Sequence, residues 1–505
     1  MRPLPTAVVM ALVSLAIHLL VNALGGYGYF RDELYYLACS RHLAAGYVDQ
    51  PPFSIFLLAL TRLLLGDSVF AIRLVPAVTS ALSVAVLCML VQKLNGGRTA
   101  AVIASLCFIA SPQILGFHTY YSMNSLDILF WLLAAYVLTL LGERATTGRW
   151  VLLGAVLGLA LLNKTSALWL GAGIGAGVLL TPLRADLRTR GPYLAAATAV
   201  VLFSPYVLWN MANGFPHLEF MKNAVSGKYS ELTRTRFLVG QCVNMNPLVV
   251  LMALLGLCWY FVSDAGRRHA YLAIVFLAVL GILLLNPHTK PEYMAAAYPL
   301  LLAGGGVATE RLGQRWGRAI PWAVGALLVL TGMVMAPFAM PVLPVGTYIR
   351  YAHALGVAPS TPEKQQLAEL PQFFADMHGW EELARDVSQA YRTLPEAEQR
   401  TTVALVGNYG EAGALELYAR KYPLPRVICS HNSYWFWGVG STHITTFIRL
   451  GGNKDDYSKN YGEIVLAGVH TCRYCMPYEN NLNIFFARQR RRPIEQAWPE
   501  AKHFE

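Results

Sequence analysis

The sequence predicts a mainly α-helical, polytopic membrane protein with a small α/β domain at its C-terminal end, and three observations carry that prediction. Of 505 residues, 55% are hydrophobic and 14% charged, with a mean hydropathy of +0.42, values that a soluble chain of this size seldom reaches. Apolar runs of roughly membrane-spanning length recur from the start of the chain to residue 338. Beyond residue 340 charge returns, and short runs with strand character bounded by turn residues take over.

A hydrocarbon core takes about 20 apolar residues per helix, and about eleven segments can be read against that length. They lie at 7–24, 69–92, 99–116, 125–141, 151–163, 166–182, 192–209, 241–262, 270–286, 293–309 and 319–338. No small-residue cleavage site follows the first, so it is expected to stay as a helix and not to be a signal peptide. Pro291 and Pro299 fall beside or within the tenth segment and are expected to distort it.

The formal charge of +11 does not point to nucleic acid, because the cations sit in short loops and form no binding stripe. Lys93, Arg98, Arg144, Arg149, Arg184, Arg188, Arg190, Arg267, Arg268, Arg311, Arg315 and Arg318 all fall on one side if the N-terminus is inside. The positive-inside rule makes that side cytoplasmic. The loops at 25–67, 117–124, 210–237 and 286–293, and the tail from about 340, are then extracytoplasmic.

The loop at 25–67 is too long for a simple connection. Residues 32–45 read as a helix with Leu34, Leu37, Ala38 and Leu43 on an apolar face, stopped by Asp49-Gln50-Pro51-Pro52. Residues 53–65 read as a second apolar helix, and both are expected to lie along the membrane surface. In the tail, 401–406, 426–430, 445–450, 463–469 and 483–487 read as strands, with an amphipathic helix at 410–422. The expected domains are therefore 1–340, spanning the membrane, and 341–505, an extracytoplasmic α/β unit. Gly407-Asn408-Tyr409-Gly410-Glu411-Ala412-Gly413 lacks phosphate-loop spacing and reads as a tight strand-to-helix turn.

Of eight cysteines, Cys88, Cys107 and Cys258 fall in apolar segments and read as small core residues. Cys472 and Cys475 form a CxxC with no second Cys/His pair at finger spacing, which weighs against zinc. A disulfide and two buried thiols are both open.

Chemistry is expected in the outer loops. Asp32 and Glu33 are adjacent carboxylates in Tyr29-Phe30-Arg31-Asp32-Glu33-Leu34, and charges beside hydrocarbon are retained to bind something or to move a proton. Arg31 and Arg41 share that loop, His118 and Asn124 occupy the next, and Asp127 opens the fourth segment. Lys164 lies in an outer turn, and His288, Lys290, Glu292 and Tyr293 end the 286–293 loop. Carboxylates beside cations suit acid/base work on an anionic lipid headgroup: a carboxylate takes a hydroxyl proton, and Lys or Arg stabilises a departing phosphate. Duller roles exist for each. Arg31 and Asp32 could form an interfacial ion pair, Asp127 could cap a helix, and the lysines could snorkel to headgroups.

The order of a first helix, an Arg31-Asp32-Glu33 loop and a Leu126-Asp127 step resembles the membrane glycosyltransferases of the protein O-mannosyltransferase and aminoarabinose transferase type, a family-39-like group with the GT-C fold. Gly158-Leu159-Ala160-Leu161-Leu162-Asn163-Lys164 and Lys290-Pro291-Glu292-Tyr293-Met294 are similar to segments of that family, and the resemblance covers about residues 1–340. In the tail, Leu370-Pro371-Gln372-Phe373-Phe374-Ala375-Asp376 and Met476-Pro477-Tyr478-Glu479-Asn480 resemble bacterial members. The resemblance implies an inverting transfer of a monosaccharide from a polyprenyl-phosphate donor to an envelope acceptor, which would be a protein, lipid or polysaccharide, at the outer face of a bacterial cytoplasmic membrane. It implies Asp32 as base, Glu33 as its acidic partner in positioning acceptor or loop, and Asp127 as a second acidic position. Lys164, His288 and Lys290, with Arg31, would meet the donor phosphate; His118, Asn124, Glu292 and Tyr293 would line the acceptor side. No cofactor is implied for certain, and His118 and His288 leave a divalent metal open. A lipid or sugar transporter is the rival from another class, disfavoured because no repeated halves are seen. An oligosaccharide ligase with a diphosphate-linked donor is the rival enzyme.

Overall fold

The structure, a computed structural model, describes residues 4–228, 231–361, 363–440 and 443–505. Helices occupy all eleven expected apolar segments. Five of them are long and apolar enough to cross a membrane singly, and up to seven spans result if each of two bent pairs counts as one. The shortfall from about eleven has local causes. The run at 99–116 breaks at Ser111-Pro112, leaving helices at Arg98–Ile109 and Pro112–Phe117, since a proline ring starts a helix more readily than it continues one. At 241–262, Asn246 adopts φ 73° before Pro247 and the two helices meet at 107°. Residues 293–297 do not join the tenth helix: Pro291–Met294 is a 3-10 turn, and Tyr298–Trp316 begins beside Pro299.

Three helices form the outer wall. Within the apolar windows of Pro5–Leu24, Gly191–Ala212 and Ala319–Ala339, 22%, 17% and 17% of residues are buried. The rest present side chains such as Val200, Val201, Trp322 and Met333 outward, a surface that suits lipid and not water. Inside, glycines let backbones touch. A Cβ on Gly154 would lie 2.2 Å from the Ala195 carbonyl oxygen, and one on Gly256 would lie 2.1 Å from that of Leu301, the close approach that small residues permit between membrane helices. Cys88 and Cys107 are buried as expected, whereas Cys258 lies on an exposed helix face.

The C-terminal part is built on a five-stranded sheet of order β2-β1-β3-β5-β4, with β1 Thr402–Val406, β2 Arg426–Cys429, β3 Thr446–Leu450, β4 Tyr461–His470 and β5 Leu482–Arg490. β1 runs parallel to β2 and β3, and β5 runs antiparallel to β3 and β4. The Tyr409–Tyr418 helix follows β1. Asn408 caps it by accepting from the Gly410 and Glu411 amides, so the glycine-rich segment is the strand-to-helix turn its sequence predicted.

The loop at 25–67 departs from expectation. Its first helix is Arg31–Cys39, not 32–45, and Leu43 is exposed. Tyr47 folds back so that its hydroxyl donates to carbonyls of Cys39 and His42, which turns the chain early. Nor does this helix lie open on a surface: Glu33–Cys39 are all buried, and Leu34–Cys39 lie in one apolar cluster with Trp380, Leu383, Tyr409, Leu415 and Ile448. A Cβ on Gly413 would stand 2.7 Å from the Leu34 carbonyl oxygen. The second helix, Phe53–Leu65, does expose apolar side chains, Phe56, Leu60, Leu63 and Leu64.

Candidate active site

Glu33 and Asp32 are adjacent in sequence and opposite in circumstance. Glu33 is fully buried. Its carboxylate accepts from Arg73 at 2.9 and 2.7 Å, from the Phe30 amide at 2.9 Å and from the Tyr121 amide at 2.7 Å. The Phe30 bond closes the N-terminus of the Arg31–Cys39 helix, and the Tyr121 bond ties that helix to the 117–124 turn. A carboxylate with four strong donors is a joint that fixes its neighbours. Asp32, with its side chain 39% exposed, accepts at Oδ1 from the Tyr409 hydroxyl at 2.9 Å. The Arg31 Nε is 4.0 Å away. Of the pair, Asp32 is the one with a carboxylate oxygen left to meet another molecule.

Arg31 has turned inward. Its guanidinium lies 3.9 Å from Glu363, 3.8 Å from Asp376 and 5.4 Å from the centre of the Tyr409 ring, and Nη1 donates to the Tyr478 hydroxyl at 2.5 Å. The Arg31 amide also donates to the Asp376 carbonyl at 2.9 Å. Burial lifts the Asp376 carboxyl to about 6; Arg31 opposes the rise, and Asp32 and Glu363 add to it. Burial and the Glu411 charge push Glu479 up as well. Both tail segments singled out in the sequence therefore converge on Arg31, through Asp376 and through Tyr478.

A second group forms around Asp127. It does not cap its helix, where Ser122 accepts from the Asn124 amide. Buried five residues further in, Asp127 accepts from Trp131 Nε1 at 3.1 Å and Ser166 Oγ at 3.3 Å, and Lys164 Nζ is 3.6 Å away. Lys164 also donates to Asn124 Oδ1 at 2.8 Å and stands 5.7 Å from the centre of the Tyr293 ring. The helix from Thr147 ends at Asn163, whose amide holds the Met123 carbonyl, so the lysine is presented at a rigid corner. Tyr120 lies between this group and the first: burial, and then the charges of Asp32 and Glu292, push its hydroxyl above the ordinary range, while Asn124 and Ser122 oppose the rise.

The structure thus brings Asp32, Asn124, Asp127, Lys164, Glu292 and Tyr293 into one connected neighbourhood. His288 and Lys290 are half-buried on the loop that leads into Glu292. His118 is elsewhere: it is fully buried, its Nδ1 is 2.7 Å from the Ile114 carbonyl oxygen, and its ring neighbours are His18 and Phe108. Among the described residues no three His, Cys, Asp or Glu side chains are grouped to hold a metal. Tyr120, Arg73 and Tyr409 were missed by sequence reasoning. Arg73 had a signal, a cation inside an otherwise apolar helix, which needs a buried partner. The two tyrosines had none, because an aromatic in a turn is ordinary.

Comparison with known proteins agrees with this architecture. The dolichyl-phosphate-mannose-protein mannosyltransferase family matches residues 49–209. The lipid A galacturonosyltransferase RgtD of Rhizobium johnstonii is 22% identical over 300 residues, 58% of this chain and 62% of that protein. The undecaprenyl phosphate-alpha-4-amino-4-deoxy-L-arabinose arabinosyl transferase of Edwardsiella ictaluri is 27% identical over 199 residues, 35% of each chain. The chain therefore spans less than two thirds of the length of these curated relatives. The crystal structure of ArnT from Cupriavidus metallidurans bound to undecaprenyl phosphate superposes with a TM-score of 0.60 at 16% identity, over 94% of this chain and 97% of that one. The chain is a multi-helix membrane protein with the GT-C fold, as the sequence resemblance implied.

Proposed function

We propose that this GT-C-fold protein is an inverting glycosyltransferase that moves a monosaccharide from a polyprenyl-phosphate donor to an acceptor hydroxyl at the outer face of the cytoplasmic membrane. The observation that carries the reading is an accessible, tethered carboxylate, Asp32, whose neighbour Glu33 is tied to the 117–124 turn, together with the buried Asn124–Lys164–Asp127 group that follows that turn. The name of the Edwardsiella ictaluri relative and the undecaprenyl phosphate bound in the ArnT structure support a polyprenyl-phosphate carrier.

The chemistry follows from those positions. The acceptor hydroxyl gives its proton to Asp32 as its oxygen forms the new bond to the anomeric carbon. On the opposite face the bond from that carbon to the phosphate oxygen breaks, and the electron pair leaves with the polyprenyl phosphate. Lys164, held by Asn124, meets the growing negative charge, and Lys290 and His288, on the loop that leads into Glu292, are assigned to the same phosphate; a preorganised cation in a partly dry site is worth far more than one in water. Asp127 keeps the Lys164 ammonium in place. Glu33 and Arg73 fix the turn from which Asp32 projects, and Arg31 docks the C-terminal domain, which brings Tyr409 to Asp32.

The test is incubation of the purified protein with radiolabelled polyprenyl-phosphate sugars and a cell-envelope extract, with recovery of the spent lipid. Label in an envelope acceptor and a lipid bearing one phosphate support the reading. A lipid bearing two phosphates overturns the donor class in favour of a ligase, and lipid carried across a vesicle without transfer overturns the enzyme in favour of a transporter.

A further inference from the structure

The Cys472/Cys475 pair is left unused by the transfer reaction. The two residues open the connection from β4 to β5, 471–481, whose far end supplies Tyr478 to Arg31 and Glu479 to Asn408. Both are thiols in this structure, and they are built around each other. The Cys475 amide donates to Cys472 Sγ at 3.2 Å, and Cys475 Sγ donates to the Cys472 carbonyl at 3.3 Å. Cys472 is half-buried while Cys475 is 3% exposed, the order of an outer attacking sulfur and an inner resolving one.

The surroundings favour charge on the outer sulfur. Gly379, with φ 89°, is the N-cap of the thirteen-residue Trp380–Arg392 helix, and a Cβ there would lie 2.8 Å from Cys472 Sγ and 3.3 Å from the Cys475 Cβ. The glycine leaves room for the sulfur against the positive end of that helix, which stabilises a thiolate. Donation from Cys475 outweighs burial, which pushes the other way, and brings Cys472 down to about 7. In contrast Cys39 and Cys429 are fully buried and their thiols are pushed up by burial.

We propose that Cys472 and Cys475 form a thiol–disulfide exchange site, with Cys472 as the attacking thiol, whose partner is a small-molecule or protein disulfide and whose oxidation locks the loop that holds Tyr478 on Arg31. The Cys472 thiolate attacks one sulfur of the partner disulfide, forming a mixed disulfide and releasing one partner thiolate. That thiolate takes the Cys475 proton. The Cys475 thiolate then attacks Cys472 Sγ, closing the internal disulfide and releasing the second partner thiolate, which is protonated by solvent. Two thiols of this chain are oxidised and one partner disulfide is reduced to two thiols. The exchange needs no sugar donor; only its link to Asp32, through Arg31, rests on the function proposed above.

The test uses the purified full-length protein and oxidised glutathione. The wild type is expected to lose two hydrogens by intact mass, with the bond mapped to Cys472 and Cys475. Cys475→Ser is expected to stop at one glutathione on Cys472, and Cys472→Ser to take none. On the unaltered protein, alkylation by iodoacetamide should label Cys472 at least tenfold faster than Cys475, Cys39 or Cys429, with a midpoint near pH 7. Hydrogen–deuterium exchange over 476–481 should slow severalfold on oxidation. No glutathione on Cys475→Ser, or equal alkylation of all four cysteines, overturns the site. Unchanged exchange over 476–481 overturns the lock. Neither result bears on glycosyl transfer, which is scored separately by label.

Discussion

The Tyr409 hydroxyl donates a 2.9 Å hydrogen bond to Asp32 across 377 residues of sequence. The contact makes the C-terminal domain a part of the candidate site and not a cover for it, because the residue proposed to take the acceptor proton is aimed by a side chain from the helix that follows β1 of the sheet domain.

Tyr409→Phe removes that one donor while keeping the ring that lies beneath Arg31. A hydrogen bond to a charged group contributes about 1.5–3 kcal/mol, so turnover is expected to fall about 10- to 100-fold. Donor binding should be unchanged, since Tyr409 is assigned no contact with the phosphate. Steady-state kinetics with a separate donor-binding measurement checks the split.

Glu33→Gln leaves Arg73 buried without its charge partner. Breaking a buried pair from one side costs about 3–5 kcal/mol, and a clear drop in the melting temperature in detergent is expected. The double variant Glu33→Gln/Arg73→Met should melt above the level that the two single changes predict by addition.

Asp376 makes stability depend on pH. Its carboxyl stands at about 6 in the folded chain, against an ordinary 3.8. Since the folded value is the higher, the folded state holds the proton more tightly. The stabilisation from this group is complete below about 4 and is lost as pH rises through 6, on the order of 3 kcal/mol. Melting temperature against pH should show this loss between pH 4 and 6 in the wild type, and a smaller one in Asp376→Asn.

Lys164→Gln keeps a donor toward Asn124 and removes the charge. A loss of about 100- to 1,000-fold in kcat/KM for the donor is expected, the scale found for removing one group that stabilises a leaving charge. Lys290→Gln, on a half-exposed loop position, should cost less. The two effects are read from donor titrations.

The apolar segments and the sheet were legible because burial in lipid or in a sheet leaves a periodic pattern within a few residues. The breaks were less so: Asn246-Pro247 sits inside a run apolar enough to read as one helix, and the positive φ of Asn246 is set by packing. Asp32 and Lys164 stood out as charges beside hydrocarbon. Glu33 stood out for the same reason, yet nothing local says that Arg73, forty residues on, satisfies it. Tyr120 and Tyr409 act through contacts that only the folded chain creates, and the early end of the Arg31–Cys39 helix follows from Tyr47 folding back over it.

The most direct measurement is transfer of label from a polyprenyl-phosphate sugar by the wild type beside Asp32→Asn, with melting temperature and donor binding recorded for both. The account predicts an Asp32→Asn protein that melts normally and binds donor yet transfers no label above background. Full transfer by that variant would contradict it.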